Sequence, residues 1–186
     1  MKARESGMPD EKIWEQFFDV EKILSELEVN NKIEKLVDFG YGTFTIPASR
    51  KIKGIVYAYD IEEALTKELE SKLEINNIHN VICISKDFIA EGTELQNEEV
   101  DYVMLFNILH AEKSVDIFGE TFRILKRNGK VGVIHWNYDS NTPRGPSMLI
   151  RPKPEELKSM LIKSGFTILQ DNISLPPYHY GILAKK

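Results

Sequence analysis

At 186 residues, 42% hydrophobic and 28% charged, the chain is long enough to bury a core and short enough to be one soluble globular domain. A formal charge of −5 argues against a general affinity for nucleic acid or acidic membranes, and no stretch is apolar enough to span a bilayer. The single cysteine, Cys83, leaves no internal disulfide and makes a thiolate zinc site implausible, and Met1-Lys2-Ala3-Arg4-Glu5-Ser6 has no apolar region behind it, so a cytoplasmic location is expected.

Residues 1–10 read as a flexible N-terminus and 11–186 as a single domain. From Glu11 to Glu28 the apolar residues Ile13, Trp14, Phe17, Phe18, Ile23, Leu24 and Leu27 recur at helical spacing, with Asp19 placed to cap a second helix inside that span. Alternation then begins. Leu36–Phe39 predicts a strand, Ile46–Ile52 a short helix opened by a glycine loop, and Ile55–Tyr59 a strand. Ile61–Leu73 predicts a helix with Ile61, Ala64, Leu65, Leu69 and Leu73 on one face. Val81–Ser85 reads as a buried strand in which Cys83 packs in the core. Val100–Phe106 is the next strand. A helix follows from about Ser114 to Lys126, with Val115, Phe118, Phe122 and Leu125 inward, ending at Asn128-Gly129 where the glycine can turn left-handed.

Lys130–Trp136 predicts a fifth strand. Asn137–Lys153, with Pro143, Gly145, Pro146 and Pro152, has no helical or strand period; it leaves the carboxyl end of a parallel strand, the edge where such sheets bind ligands. Pro154–Lys163 is a helix with proline near its start and Gly165 at its end. Phe166–Ile173 and Tyr180–Ala184 are strands separated by too little chain for a crossover, so they form an antiparallel hairpin. The fold class is therefore α/β: a Rossmann-like three-layer sandwich around a seven-stranded sheet, five strands parallel and two in a C-terminal antiparallel hairpin.

One stretch carries the chemistry. In Leu36-Val37-Asp38-Phe39-Gly40-Tyr41-Gly42-Thr43-Phe44 an apolar run holds an acid and then two glycines at alternate positions, and in Val56-Tyr57-Ala58-Tyr59-Asp60 a second apolar run ends in another acid. A βαβ unit builds a nucleoside pocket in this way: the glycines admit backbone to the ligand, and the second acid can take two ribose hydroxyls. Asp38, two residues before the first glycine, is unusual for a dinucleotide site.

With these segments stand Lys86-Asp87-Phe88, Val100-Asp101-Tyr102-Val103-Met104-Leu105-Phe106-Asn107-Ile108-Leu109-His110 and Arg123-Ile124-Leu125-Lys126-Arg127-Asn128-Gly129-Lys130-Val131. Five motifs in this order, with a terminal hairpin, resemble the class I S-adenosylmethionine-dependent methyltransferases. Trp14-Glu15-Gln16-Phe17-Phe18-Asp19, Thr142-Pro143-Arg144-Gly145-Pro146 and Ile150-Arg151-Pro152 resemble a small-molecule-type branch. The resemblance implies S-adenosylmethionine as cofactor. It implies Asp38 on the ammonium, Gly40 and Gly42 beside the methionine and ribose, Asp60 with Ile61 at the ribose hydroxyls, Asp87 with Phe88 at the adenine, and the Asn107 carbonyl at the methionine end. Phe44 stands where the family's loop usually has its third glycine.

A methyl donor needs an aligned acceptor and excluded water, with a base only where the acceptor must lose a proton. No metal is suggested by spacing. His110, just beyond the fourth strand, and His135, at the end of the fifth, are the candidate catalytic residues; each could instead be a packing histidine. His79 reads as solvated and His179 as an edge or rim residue. Arg144 and Arg151 could clamp an anionic acceptor, gate the site, or serve only solubility. Trp14, Phe17 and Phe18 could cover the cofactor or simply dock on the sheet.

The leading functional reading is methyl transfer to a small-molecule acceptor, since Asn107-Ile108-Leu109-His110 lacks the Asn/Asp-Pro-Pro-aromatic pattern of the family's amino-methylating enzymes. The alternatives are a non-catalytic cofactor- or partner-binding module with an altered glycine loop, and a nicotinamide oxidoreductase. Asp38, the missing third glycine and the hairpin count against the last.

Overall fold

The computed structural model describes residues 15–40, 42–110 and 114–186. The N-terminal residues 1–10 that the sequence reading expects to be flexible, together with Ile13, Trp14, Tyr41 and the side chain of Val115, lie outside the described residues. In chain order the strands are β1 (Lys35–Phe39), β2 (Ile55–Asp60), β3 (Val81–Ser85), β4 (Val100–Phe106), β5 (Leu125–Trp136), β6 (Thr167–Leu175) and β7 (His179–Lys185). The helices are α1 (Val20–Glu26), α2 (Thr45–Lys51), α3 (Glu63–Ile75), α4 (Phe88–Glu91), α5 (Ser114–Ile124) and α6 (Pro154–Lys163).

The strands form one sheet in the order β3-β2-β1-β4-β5-β7-β6. Pairings from β3 through β5 are parallel, while β7 runs antiparallel to both β5 and β6. The order reverses between β1 and β4, so the chains leaving these strands depart to opposite faces of the sheet, the place where such sheets form a ligand crevice.

The central strands are covered on both faces, which is why they read as near-continuous apolar runs. In β1, Val37 and Phe39 join a core with Phe118, Leu157 and Leu161 of α5 and α6. Leu36 faces the other way, into a second core with Leu24 of α1 and Ala48 of α2. Asp38 lies on that second face, the only charged residue on a strand otherwise apolar after Lys35. Asp19 caps α1 as the sequence predicts, accepting from the Lys22 amide at 3.1 Å.

Four details differ from expectation. The α3 face that packs is Thr66, Leu69 and Leu73; Ala64 is exposed and Ile61 precedes the helix, because Glu62 is the cap. β3 is an edge strand, so Ile82 is exposed and Cys83 half-buried against the α3 face. α5 stops at Ile124 and β5 starts at Leu125, because the Glu98 and Glu99 amides draw Arg123 and Ile124 carbonyls into the β4 edge. The left-handed residue there is Asn128 (φ 63°), not Gly129, in a bulge held by Lys126 on Asp101 at 2.7 Å and by Lys186 on Gly129 O at 3.0 Å. Tertiary pairing overrides the helix-ending signal.

Candidate active site

The crevice is built from strand ends and the turns that follow them. Gly40, at φ 113°, leaves β1 by turning across β2, its amide donating to Tyr59 O at 2.8 Å. A side chain there would be strained in the backbone and would press on Ile108 Cγ2 at 3.3 Å. The turn therefore lies directly against the β4 exit. Gly42 is buried at φ 28° with α3 beneath it. The chain then enters α2 through Phe44.

Phe44 does not enter the crevice. It is 6% exposed and packs edge-on against Phe18 and Phe106, with ring centroids 5.1 and 4.9 Å away. The position of the third glycine is thus a core position in this chain. Directly after it, Thr45 Oγ1 donates to Asp38 Oδ2 at 2.6 Å. Asp38 is 4% exposed. Burial pushes its carboxyl up to about 7, with the charge of Asp60 adding and the Thr45 hydrogen bond opposing.

Asp60 ends β2 beside this group, accepting from the Glu62 amide at 2.8 Å, while its own carbonyl accepts from Lys86 at 2.8 Å. That second bond brings the Asp87 turn to the same rim. Asp87 caps α4 through the Ala90 amide at 3.0 Å, the main cause holding its carboxyl below its ordinary value. Phe88 turns inward and stacks on Phe39 at 4.5 Å, so its ring supports the rim from the core. Asn107 leaves β4 in the left-handed conformation (φ 58°), its amide on Ile134 O at 2.9 Å, and its side-chain Oδ1 is buried with no hydrogen-bond partner.

The two candidate histidines meet on the α5–α6 face. His110 and His135 are edge to face with ring centroids 5.6 Å apart, and Tyr180 lies 6.3 Å from His135. His110 Nδ1 is buried without a partner, and burial, then the charge of Arg151, lowers its pKa. His135 is fully buried, and desolvation followed by repulsion from His110 drives its pKa well down. The Trp136 backbone offsets this in part without reaching hydrogen-bond geometry.

His179 is a correction: it is not a rim residue but is 2% exposed, between Phe18 (4.4 Å, stacked) and Trp136 (4.3 Å). β7 is an internal strand, so its first residue lies under the 15–18 segment, where Phe18 bridges to Pro177. Phe17 and Phe18 accordingly dock on Trp136, Tyr178 and His179. His79 is exposed, as expected.

Arg151 is neither a free clamp nor a surface residue. It is 6% exposed and donates to the carbonyls of Asn137 (2.9 Å), Asp139 (2.9 Å) and Pro146 (2.9 and 3.1 Å) and to Thr142 Oγ1 (2.7 Å). It pins the long loop over Trp136, its guanidinium carbon 6.0 Å from the ring centroid. Thr45 and this pinning role were not foreseen. A threonine opening a helix seven residues after an acid, and an arginine closing a proline-rich loop, were the available signals.

The site fits an adenosyl-sulfonium cofactor. Its buried carboxyl, with the neutral Thr45 hydroxyl as donor on Oδ2, is suited to an ammonium. A second acid stands at the adjoining strand end, and Gly40 leaves β1 between them with no side chain. Among the described residues no group of three or more His, Cys, Asp or Glu is arranged to hold a metal ion, and no helix is long and apolar enough to cross a membrane.

A family model described as a methyltransferase domain matches residues 37–129, half of the chain. Two curated relatives carry the name ribosomal protein L11 methyltransferase. The one from Anoxybacillus flavithermus is 24% identical over 157 residues, and the one from Brevibacillus brevis 28% identical over 141. The matches cover 83% and 75% of this chain but 44% and 39% of the relatives, so the chain spans less than half of their length. A solved structure described as a SAM dependent methyltransferase from Aquifex aeolicus superposes with a TM-score of 0.83 at 23% identity, covering 95% of this chain and 93% of that one.

Proposed function

The chain belongs to the methyltransferase domain family, with the class I S-adenosylmethionine-dependent fold, and on that premise we propose that it transfers a methyl group from S-adenosylmethionine to a small-molecule acceptor. The observation that carries the reading is the placing of the buried Asp38 on β1 and of Asp60 at the end of the neighbouring β2, close enough for the charge of Asp60 to act on Asp38, with Gly40 leaving β1 beside them and Phe44 withdrawn into the core. When bound, S-adenosylmethionine supplies a methyl already activated on a sulfonium sulfur. The chain's part is to hold it and to align the acceptor.

In this reading residues 11–186 form one such domain. Asp38 accepts from the ammonium, Gly40 and Gly42 border the methionine and ribose, and Asp60 with Ile61 takes the ribose. Asp87, with Phe88 supporting it, takes the adenine, and Asn107 borders the methionine end. His110 and His135 line the acceptor side.

A protein acceptor is the second reading, favoured by the names of the two L11 methyltransferase relatives. Isothermal calorimetry with S-adenosylhomocysteine tests the cofactor, and methyl transfer to a metabolite panel and to ribosomal protein tests the acceptor. Binding of S-adenosylhomocysteine with methyl transfer to a metabolite is the expected result. Methylation of ribosomal protein alone favours the second reading. Binding without turnover leaves a cofactor-binding module, and tighter binding of a nicotinamide cofactor overturns both.

A further inference from the structure

The hydroxyl of Thr45 is used away from its own helix. Serine, threonine, asparagine and aspartate usually close a helix start from the cap position. The cap of α2 is Phe44, which makes no side-chain cap bond, and the threonine stands one residue later, at the first helical position. From there Oγ1 reaches β1 and donates to Asp38 Oδ2 at 2.6 Å. Thr45 is 0% and Asp38 4% exposed, so little water can replace this donor if it is lost.

The rest of the surroundings give the Asp38 carboxylate no opposite charge. Across the ladder it faces Ala58 of β2 and Met104 of β4. Asp60, two residues beyond Ala58, is the charged group that acts on it, and its sign is the same. α2 keeps Arg50 and Lys51 in its last turn, and Lys51 pairs with Glu21 of α1 at 2.7 Å. Lys35 of β1 pairs with Glu99 at 2.9 Å. Among the described residues no cation pairs with Asp38.

The difference between a hydroxyl and a cation matters at a site for an ammonium. A lysine or arginine beside Asp38 would stabilise its charge and also neutralise it, in competition with the ligand. A hydroxyl donor favours the carboxylate over the acid and brings no net charge. It takes one of about four lone-pair sites on the carboxylate and leaves the others to a ligand.

Resting on the methyl-transfer reading above, we propose that Thr45 is a positioning residue whose hydroxyl holds the Asp38 carboxylate charged and oriented for the cofactor's ammonium without competing for it. Thr45 acts through Asp38. Serine keeps the donor, whereas valine keeps nearly the same shape and loses it.

The test follows Asp38 with and without ligand. Carboxyl carbon NMR of the ligand-free chain reads its titration, the signal being assigned by its loss in Asp38→Asn. Calorimetry reads S-adenosylhomocysteine affinity from about pH 5 to about pH 8.5. Thr45→Val should move the Asp38 midpoint up by about one pH unit or more, and Thr45→Ser should return it close to the wild-type value. Below pH 7 the valine variant should bind S-adenosylhomocysteine about tenfold more weakly, and the deficit should shrink toward pH 8.5 as both carboxyls ionise. Thr45→Ala is the second variant should the valine form fail to melt cooperatively. An Asp38 midpoint unmoved in the variants lacking the hydroxyl, a serine variant that behaves like valine, or an affinity deficit equal at every pH overturns the inference. Wild-type binding of S-adenosylhomocysteine leaves the cofactor reading standing in each of those cases. Failure of the wild-type chain to bind it removes that reading and this inference with it.

Discussion

Thr45 Oγ1 donates a 2.6 Å hydrogen bond to Asp38 Oδ2, coupling the first residue of α2 to the acid on β1. Burial resists the ionisation of Asp38, pushing its pKa up to about 7 from 3.8. A carboxyl whose folded pKa is raised favours its protonated form in the native state. The stability it contributes is full below about pH 4 and is lost as pH rises through about 7. Asp38→Asn should abolish that decline: from pH 5 to pH 8 the wild-type chain should lose roughly 2–4 kcal/mol relative to the variant. Urea denaturation at both pH values reads it, and parallel losses in the two proteins would mean Asp38 does not titrate in this window.

A bound ammonium needs the ionised carboxylate. Affinity for S-adenosylhomocysteine should therefore rise about tenfold per pH unit below about 7 and level off above it. At pH 6 binding should release a proton, seen as a calorimetric heat that depends on the ionisation enthalpy of the buffer. Asp38→Asn should bind weakly with no such pH dependence. A flat profile in the wild-type chain would place the ammonium elsewhere.

Asp60 already holds the Glu62 amide on Oδ1 at 2.8 Å, which fixes its carboxylate at the β2 exit. Charge-assisted contacts to ribose hydroxyls are worth about 1.5–3 kcal/mol. Asp60→Ala should thus weaken S-adenosylhomocysteine about ten- to a hundred-fold by calorimetry. Adenine alone, which has no ribose, should bind the variant and the wild-type chain equally.

Much of this is legible in the residues themselves. The alternation of strands with helices and the C-terminal hairpin follow from the spacing of the apolar runs, because parallel strands need a long crossover and a two-proline link is too short for one; the order of the strands in the sheet does not. Asp38 follows from its position before the two glycines, and Asp60 from its position at the end of the second apolar run. What the sequence hides is direction and partnership. Nothing in Asn128-Gly129 says that pairing with β4 begins at Leu125 and leaves Asn128 as the left-handed residue. Nothing at His179 says that Phe18 covers it, since that contact joins positions 161 apart in the chain. Arg151 reads as surface because arginines usually are; its burial depends on a ring of carbonyls that only the folded loop assembles.

Phe44 tests whether the altered glycine loop is a defect. Its ring fills a core position between Phe18 and Phe106, away from the crevice. Phe44→Gly, which restores the usual family pattern, should destabilise the chain by about 3–5 kcal/mol through the cavity it leaves. S-adenosylhomocysteine affinity should not improve. Thermal melting and calorimetry on the same preparation check both halves, and a gain in affinity would mean that the ring obstructs the cofactor after all.

Arg151 joins the loop to the acceptor side by two separable properties, its hydrogen-bond fork and its charge. The fork holds the carbonyls of Asn137, Asp139 and Pro146, which lose their donors together in any substitution. Lysine keeps the charge but cannot span these acceptors with one ammonium. Arg151→Lys should therefore cost about 2–4 kcal/mol in urea denaturation and open residues 137–153 to proteolysis. Arg151→Met should cost a similar amount and also remove the positive field. Because that field lowers the pKa of both His110 and His179, the methionine variant alone should raise them, His110 toward its ordinary value. Histidine titration by NMR separates the two effects. If His110 titrates identically in the lysine and methionine variants, the charge of Arg151 does not reach His110.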